Sequence, residues 1–157
     1  MAENRSGIAE LDERIPFLLS QLGAHVSGDF QRRLAPIGAD PRTYAVLLTL
    51  ANDDGQSQRQ LSERLGFHRN AMVTVIDNLE KQGLAKRLTH PEDRRAVAVT
   101  LTPKARRLLP ALDDQARELE DEIAAPLSAK ERATLRRLLQ RVAAGAGLIP
   151  GVHPRLA

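Results

Sequence analysis

GLAKRLTHPEDRRAVAVTLT, residues 83–102, is the stretch on which the reading of this chain turns. Its first arm, residues 84–89, carries Lys86 and Arg87. Its returning arm, residues 96–101, alternates Val97, Val99 and Leu101 with smaller side chains at the period of a half-buried strand. Between the arms stand His90, Pro91, Glu92, Asp93, Arg94 and Arg95. A proline at the bend and paired arginines at the tip describe a loop held away from the body and aimed at negative charge. The pattern predicts a basic β-hairpin, and the residues before it indicate what it serves.

Upstream, Ser57 and Gln60 have the spacing of a capping box, opening a short helix that turns Leu61 and Leu65 inward. Gly66 ends that helix. Residues 68–82 read as the next one, with Met72, Ile76 and Leu79 on its buried face and Val75 on the flank. By subtraction its exposed face carries Arg69, Asn70, Val73, Thr74 and Asp77. Two short helices joined by a tight glycine turn predict a helix-turn-helix, whose second helix enters the major groove of duplex DNA by its N-terminal residues. Those residues are His68, Arg69, Asn70, Val73 and Thr74. Arg69 and Asn70 are suited to guanine and adenine edges; equally, Arg69 can grip phosphate while Asn70 serves the helix start. Val73 and Thr74 offer methyl groups to a thymine or sit beside the groove without reading it.

The flanks are helical as well. Asp12 is the expected cap of a first helix carrying Ile15, Leu18, Leu19, Leu22, Val26, Phe30 and Leu34, with Pro16 tolerated in the first turn. Asp40 and Pro41 open a second helix, which Tyr44, Val46, Leu47, Leu48 and Leu50 make the most apolar of the set and which is expected to be central to the core. Thr102 and Pro103 open another, through Leu108, Leu109, Leu112, Ala116, Leu119 and Ile123, with a kink expected at Pro110. A capping box from Ser128 to Glu131 starts the last, with Leu135, Leu138, Leu139 and Val142. The expected fold is mainly α with a small β wing: a winged helix-turn-helix flanked by N- and C-terminal dimerisation helices. Residues 1–36 form the N-terminal dimerisation helix, 37–102 the DNA-binding unit with its wing at 84–101, 103–144 the C-terminal dimerisation helices, and 145–157 an irregular tail. These helices carry more apolar surface than one small unit covers, and a homodimer buries the excess.

Composition narrows the function. The 157 residues have a formal net charge of +3, so a nucleic-acid surface depends on where charge gathers rather than on its total. It gathers centrally, at Arg69, Lys81, Lys86, Arg87, Arg94, Arg95, Lys104, Arg106 and Arg107, while residues 10–13 and 113–122 are acid-rich. Ser57, Lys86 and Lys104 are candidate phosphate contacts, although a solvated first helical turn explains Lys104 as well. The absence of cysteine excludes a disulfide framework, a thiolate metal site and a cysteine redox switch. His25, His68, His90 and His153 are scattered without a second ligand at helical spacing, so no metal is expected. No glycine-rich phosphate loop or Ser-His-Asp arrangement is present, so neither a catalytic residue nor a cofactor is expected. No segment is apolar for long enough to cross a bilayer, and the opening MAENRSG lacks a signal peptide's apolar run, so the expectation is a cytoplasmic protein without a membrane partner.

Four motifs in this order carry a resemblance: LSERLG at 61–66, VIDNLEKQGLAKR at 75–87, EDRRAVAVTLTPKA at 92–105 and LSAKERATLRRLL at 127–139. Over roughly residues 12–144 the chain resembles the MarR family of bacterial transcription regulators. The resemblance implies a homodimer that binds a pseudo-palindromic double-stranded DNA operator as a repressor and is released by a small aromatic or phenolic effector. It also implies that Asp93 and Arg95 are the wing-tip pair, with Arg95 entering the flanking minor groove and Asp93 orienting a neighbouring arginine such as Arg87. A solvated wing in which Asp93 merely caps the turn is the plainer alternative. His25, Arg42 and Tyr44 are candidate handles for the effector. Thr74 and Asn78 stand where family members often carry basic residues. The rival reading is a winged-helix protein-interaction module without DNA binding, which calls for an apolar exposed face on residues 68–78.

Overall fold

The computed structural model describes residues 7–89, 92 and 97–155. In chain order these residues form α1 (Ala9–Asp12), α2 (Ile15–Leu34), a 3₁₀ turn (Ala35–Ile37), α3 (Pro41–Asn52), β1 (Gln56–Ser57), α4 (Gln58–Leu65), α5 (Arg69–Lys81), β2 (Ala85–Thr89), β3 (Val97–Leu101), α6 (Pro103–Ile123) and α7 (Ala129–Gly145). The chain is mainly helical with a small antiparallel sheet, as its patterning predicts.

Local chemistry sets most of the helix starts. The Asp40 carboxylate accepts from the Thr43 amide at 2.7 Å, and the Thr102 hydroxyl accepts from the Ala105 amide at 3.2 Å. Ser57 with Gln60, and Ser128 with Glu131, form reciprocal capping boxes. Each cap satisfies an amide that has no partner within its helix. The first helix is a correction. Asp12 caps nothing; it ends α1, and α2 begins at Ile15 behind Arg14 without a side-chain cap. Pro16 is the reason, because its fixed φ suits a first turn and its missing amide needs no partner there.

The core lies where α3, α4, α5 and the sheet meet. Val46, Leu47, Leu50, Leu61, Met72, Ile76, Leu79 and Val99 are all fully buried. The expected second helix, α3, is central to this core, with Leu48 on its outer side at 39% exposure. Positions 46, 47 and 50 share one side of a 3.6-residue turn, and position 48 falls on the other. α6 continues through Pro110, which sits at an exposed position.

The sheet order is β1-β3-β2, with Ala85 opposite Leu101, Thr89 opposite Val97 and Gln56 opposite Val99. β1 has only two residues, too few to show a period, and escapes sequence reading. The expected alternation along the returning arm fails at its outer end: Ala98 and Val99 are both buried while Val97 is exposed. β1 reaches only to Ala98, so Val97 projects past its cover. Asp54 ties the base of the wing to the body, accepting from the Leu101 amide at 3.0 Å and pairing with Arg106.

The outer helices α2 and α6 bury Leu34, Ala105, Leu112 and Leu119, and ion pairs link their outer surfaces. Arg33 on α2 pairs with Asp29 at 3.0 Å and reaches Glu122 on α6. Arg136 on α7 reaches Glu120 on α6 at 2.6 Å. No residue of α7 is buried, and Leu135, Leu138, Leu139 and Val142 are between 42% and 52% exposed. Among the described residues no helix is long and apolar enough to cross a membrane.

Candidate nucleic-acid interface

α4, the turn at Gly66 and α5 form the helix-turn-helix. Gly66 adopts φ 68°, a left-handed conformation that a Cβ disfavours, and both its own amide and that of Phe67 bond to the Ser62 carbonyl. The chain thereby reverses within three residues and starts α5 at Arg69, with His68 at the N-cap position making no side-chain cap bond. Met72, Val75, Ile76 and Leu79 anchor α5 in the core. His68, Arg69, Asn70, Val73 and Thr74 are together on its outward side, all exposed. The Thr74 hydroxyl donates to the Asn70 carbonyl at 3.1 Å, so its one proton is committed within the helix.

A shallow groove of about 520 Å³ between α4 and α5 is lined by Gln58, Arg59, Ser62, Glu63, Arg69 and Val73. Arg59 lines this groove and has no place in the sequence reading above. Its only signal was its place two residues after the capping Ser57, in an outward-facing first turn. Its guanidinium bonds Glu63 one turn on at 2.8 Å, which raises its pKa above the ordinary value. Among the described residues, Arg69 and Lys86 make no ion pair and stand exposed.

Arg87 is a correction of a different kind. Expected on the DNA side of the wing, it points into the body instead. Its Nη2 donates to Asp77 at 2.7 Å, its Nη1 to Glu80, and its Nε to Gln58 at 2.8 Å, while its backbone amide donates to Glu80 at 3.0 Å. Burial works against the charge, but the bonds to Asp77 and Glu80 outweigh it and lift the guanidinium pKa above its usual value. One side chain therefore ties β2 to α5 and α4, setting the wing's position relative to the recognition helix. Lys104 is also engaged: its ammonium donates to the Gln82 carbonyl at 2.7 Å, at the C-terminal end of α5 where the helix dipole favours a cation. Ser57 uses its hydroxyl as the α4 cap. Asp93, Arg94 and Arg95 lie outside the described residues.

The three candidate effector handles do not converge. His25 is exposed on α2 and Arg42 is half-buried in the first turn of α3. The half-buried Tyr44 packs edge-on against Phe30, with ring centroids 5.6 Å apart, and donates its hydroxyl to Asp113 at 3.2 Å. Burial and that bond both raise its pKa. Neither the groove between α2, α6 and α7 nor that between α3 and α6 is lined by any of the three. Among the described residues no cluster of three metal-ligating side chains occurs.

Comparison with known proteins agrees with this architecture. The family model described as MarR family matches residues 41–97, from the start of α3 to the first residue of β3. A probable transcriptional regulator from Pseudomonas aeruginosa is 33% identical, with 84% of this chain and 98% of that one covered and a TM-score of 0.73. This protein belongs to the MarR family. A further relative of this MarR-family regulator is the putative transcriptional regulatory protein for the hcr operon of Thauera aromatica, 34% identical over 105 residues. That match covers 67% of this chain and 63% of the relative, so the chain spans a little under two thirds of that protein's length. The transcriptional repressor CouR has been solved on a 23-mer DNA duplex; it is 30% identical, covers 89% of this chain and 99% of its own, and has a TM-score of 0.78. CouR from Rhodococcus jostii RHA1 bound to p-coumaroyl-CoA is 29% identical, covers 85% and 94%, and has a TM-score of 0.72.

Proposed function

We propose that this MarR-family regulator is a homodimeric repressor that reads a pseudo-palindromic DNA operator and lets go when a small aromatic or phenolic ligand binds. The observation that carries the reading is the outward side of α5, where His68, Arg69, Asn70 and Thr74 stand exposed around a single apolar residue, Val73. That face is polar and cationic at the end that enters a groove, whereas a protein-interaction module calls for an apolar one. CouR on its duplex supports the same use of the fold.

The exposed leucines of α7, with Leu19 and Leu22 of α2, supply the apolar surface of the dimer. A partner helix fits the groove bounded by Val26, Leu119, Ile123, Leu135 and Leu139. Two-fold symmetry then sets the recognition helices into successive major grooves about ten base pairs apart. Arg69 and Asn70 make base-edge or phosphate contacts there, Lys86 contacts phosphate, and Arg95 enters the minor groove, whose negative potential favours a guanidinium. The effector acts by population shift, since a ligand that prefers a dimer with misplaced recognition helices lowers operator affinity by its differential affinity for the two states. The complex of CouR with p-coumaroyl-CoA supports a phenolic class.

Selection of bound fragments from genomic DNA, repeated with a panel of aromatic acids and their thioesters, tests the reading. It should return one palindromic sequence and a compound that abolishes its recovery. Binding without sequence preference, or a flat plot of log affinity against log salt, refutes operator recognition.

A further inference from the structure

Residues 146–155, beyond α7, belong to none of the parts above. Sequence reading leaves them irregular, yet the structure gives them a built turn. The Gly147 and Leu148 amides bond back to Ala144 and Ala143 and close α7. Ile149, Pro150, Gly151 and Val152 then form a β-turn, with the Val152 amide donating to the Ile149 carbonyl at 3.1 Å. Proline second and glycine third, with Gly151 at φ 73°, are what a type II turn requires.

That turn delivers Val152 onto Gly66. A Cβ built on Gly66 would lie 2.9 Å from Val152 Cγ1, closer than a side chain at position 66 allows. Gly66 thus serves twice, adopting the left-handed φ of the helix-turn-helix and leaving a seat for Val152. Leu148 and Ile149 are 45% and 64% exposed, while Val152 is half-buried. The apolar residue at the exit of the turn is the one that docks, and it docks on the reversal that starts the recognition helix.

The residues that follow carry one positive charge, Arg155, and a second donor, His153. The Arg155 amide donates to His153 Nδ1 at 3.2 Å, which leaves Nε2 as the imidazole's donor. Residues 145–155 contain His153 and Arg155 and no acid. Arg155 is three residues from Val152, as Arg69 is from Gly66, and three residues span at most about 11 Å. Both arginines are therefore tethered to the same docking point.

We propose that residues 148–155 form a basic arm, pinned by Val152 to the helix-turn-helix, and that His153 and Arg155 contact the phosphates beside the recognition helix. The proposal rests on the DNA-reading function given above. Phosphate rather than base is the ligand because the arm stands beside the helix that fills the groove, where contacts position the protein without reading sequence.

The test uses the full chain and its selected operator. Each neutralised phosphate contributes about 0.9 to the salt slope, so freeing one phosphate per protomer of a dimer lowers the slope by about 1.8. The His153→Ala/Arg155→Ala variant should show at least that reduction, weaken binding about equally on operator and mismatched sites, and unfold at the wild-type temperature. Val152→Ser keeps His153 and Arg155 but unseats the arm, and should show the same reduction. Unchanged affinity and slope in the double variant, with wild-type binding intact, overturns the arm. Tighter binding by a chain ending at Gly147 also overturns it, since the segment would then obstruct DNA. Failure of the wild-type chain to bind any duplex removes the DNA-reading function itself, and the arm with it.

Discussion

Replacing Arg87 with methionine separates positioning from contact, because the structure and the wing's basic sequence assign this residue opposite roles. Methionine keeps the apolar stem and removes the guanidinium. Three side-chain bonds disappear, to Asp77, Glu80 and Gln58. The Arg87 side chain is 23% exposed, but Asp77 is 47% and Glu80 34% exposed, so solvent screens both pairs. With screened pairs at about 0.5 kcal/mol each and the Gln58 bond at about 1 kcal/mol, the destabilisation is about 2 kcal/mol. For a chain of this size that lowers Tm by about 6 °C. Operator affinity should fall at least about 10-fold, because the wing loses its tie to α5 and two carboxylates on the recognition helix are left without their cation. The slope of log affinity against log salt should stay within about 0.5 of wild type, since every phosphate keeps its partner. Adding Asp77→Asn and Glu80→Gln to Arg87→Met should recover much of the affinity by removing the stranded charge. An unchanged Tm together with a slope lower by about 1.8 refutes the positioning role and returns Arg87 to the phosphate surface.

Gly66→Ala should destabilise the fold by about 1 kcal/mol for its left-handed φ and also displace Val152, so calorimetry should show a lower Tm and limited proteolysis earlier cleavage after residue 147. Glu131 bonds to the Ser128 hydroxyl and amide, which depress its pKa below the ordinary 4.5. Its contribution to α7 is therefore fully present above about pH 4.5 and lost as the pH falls through the lower folded value, a dependence that Glu131→Gln should remove from helicity measured by circular dichroism. Arg95→Ala should weaken operators with A·T-rich flanks more than those with G·C-rich flanks in a mobility shift, and equal weakening on both would remove the minor-groove role.

Much of the fold is written locally. Asp40, Ser57, Thr102 and Ser128 cap the helices that their spacing marks, and Gly66 ends α4 where a glycine should. The buried face of α5 follows from the recurrence of Met72, Ile76 and Leu79. These signals act over four residues or fewer, so a linear reading captures them. Asp12 misled because two rules competed for one helix start, and the proline rule prevailed. β1 and the role of Asp54 had no local signal, since a two-residue strand exists only by pairing with Val99 and Ala98 more than 40 residues later.

The sequence by itself determined the order of parts, the helix boundaries to within a residue or two, and the five exposed positions at the start of α5. All of these follow from backbone periodicity and capping, which depend on near neighbours. Only the tertiary structure decided how the basic residues are used. Arg69 and Lys86 are left to solvent, Arg87 is consumed by Asp77 and Glu80, Lys104 closes α5, and Val152 reaches Gly66 across 86 positions of chain. A guanidinium has the same charge in every sequence, and whether it meets DNA or a carboxylate depends on which side chains the fold brings within about 3 Å of it.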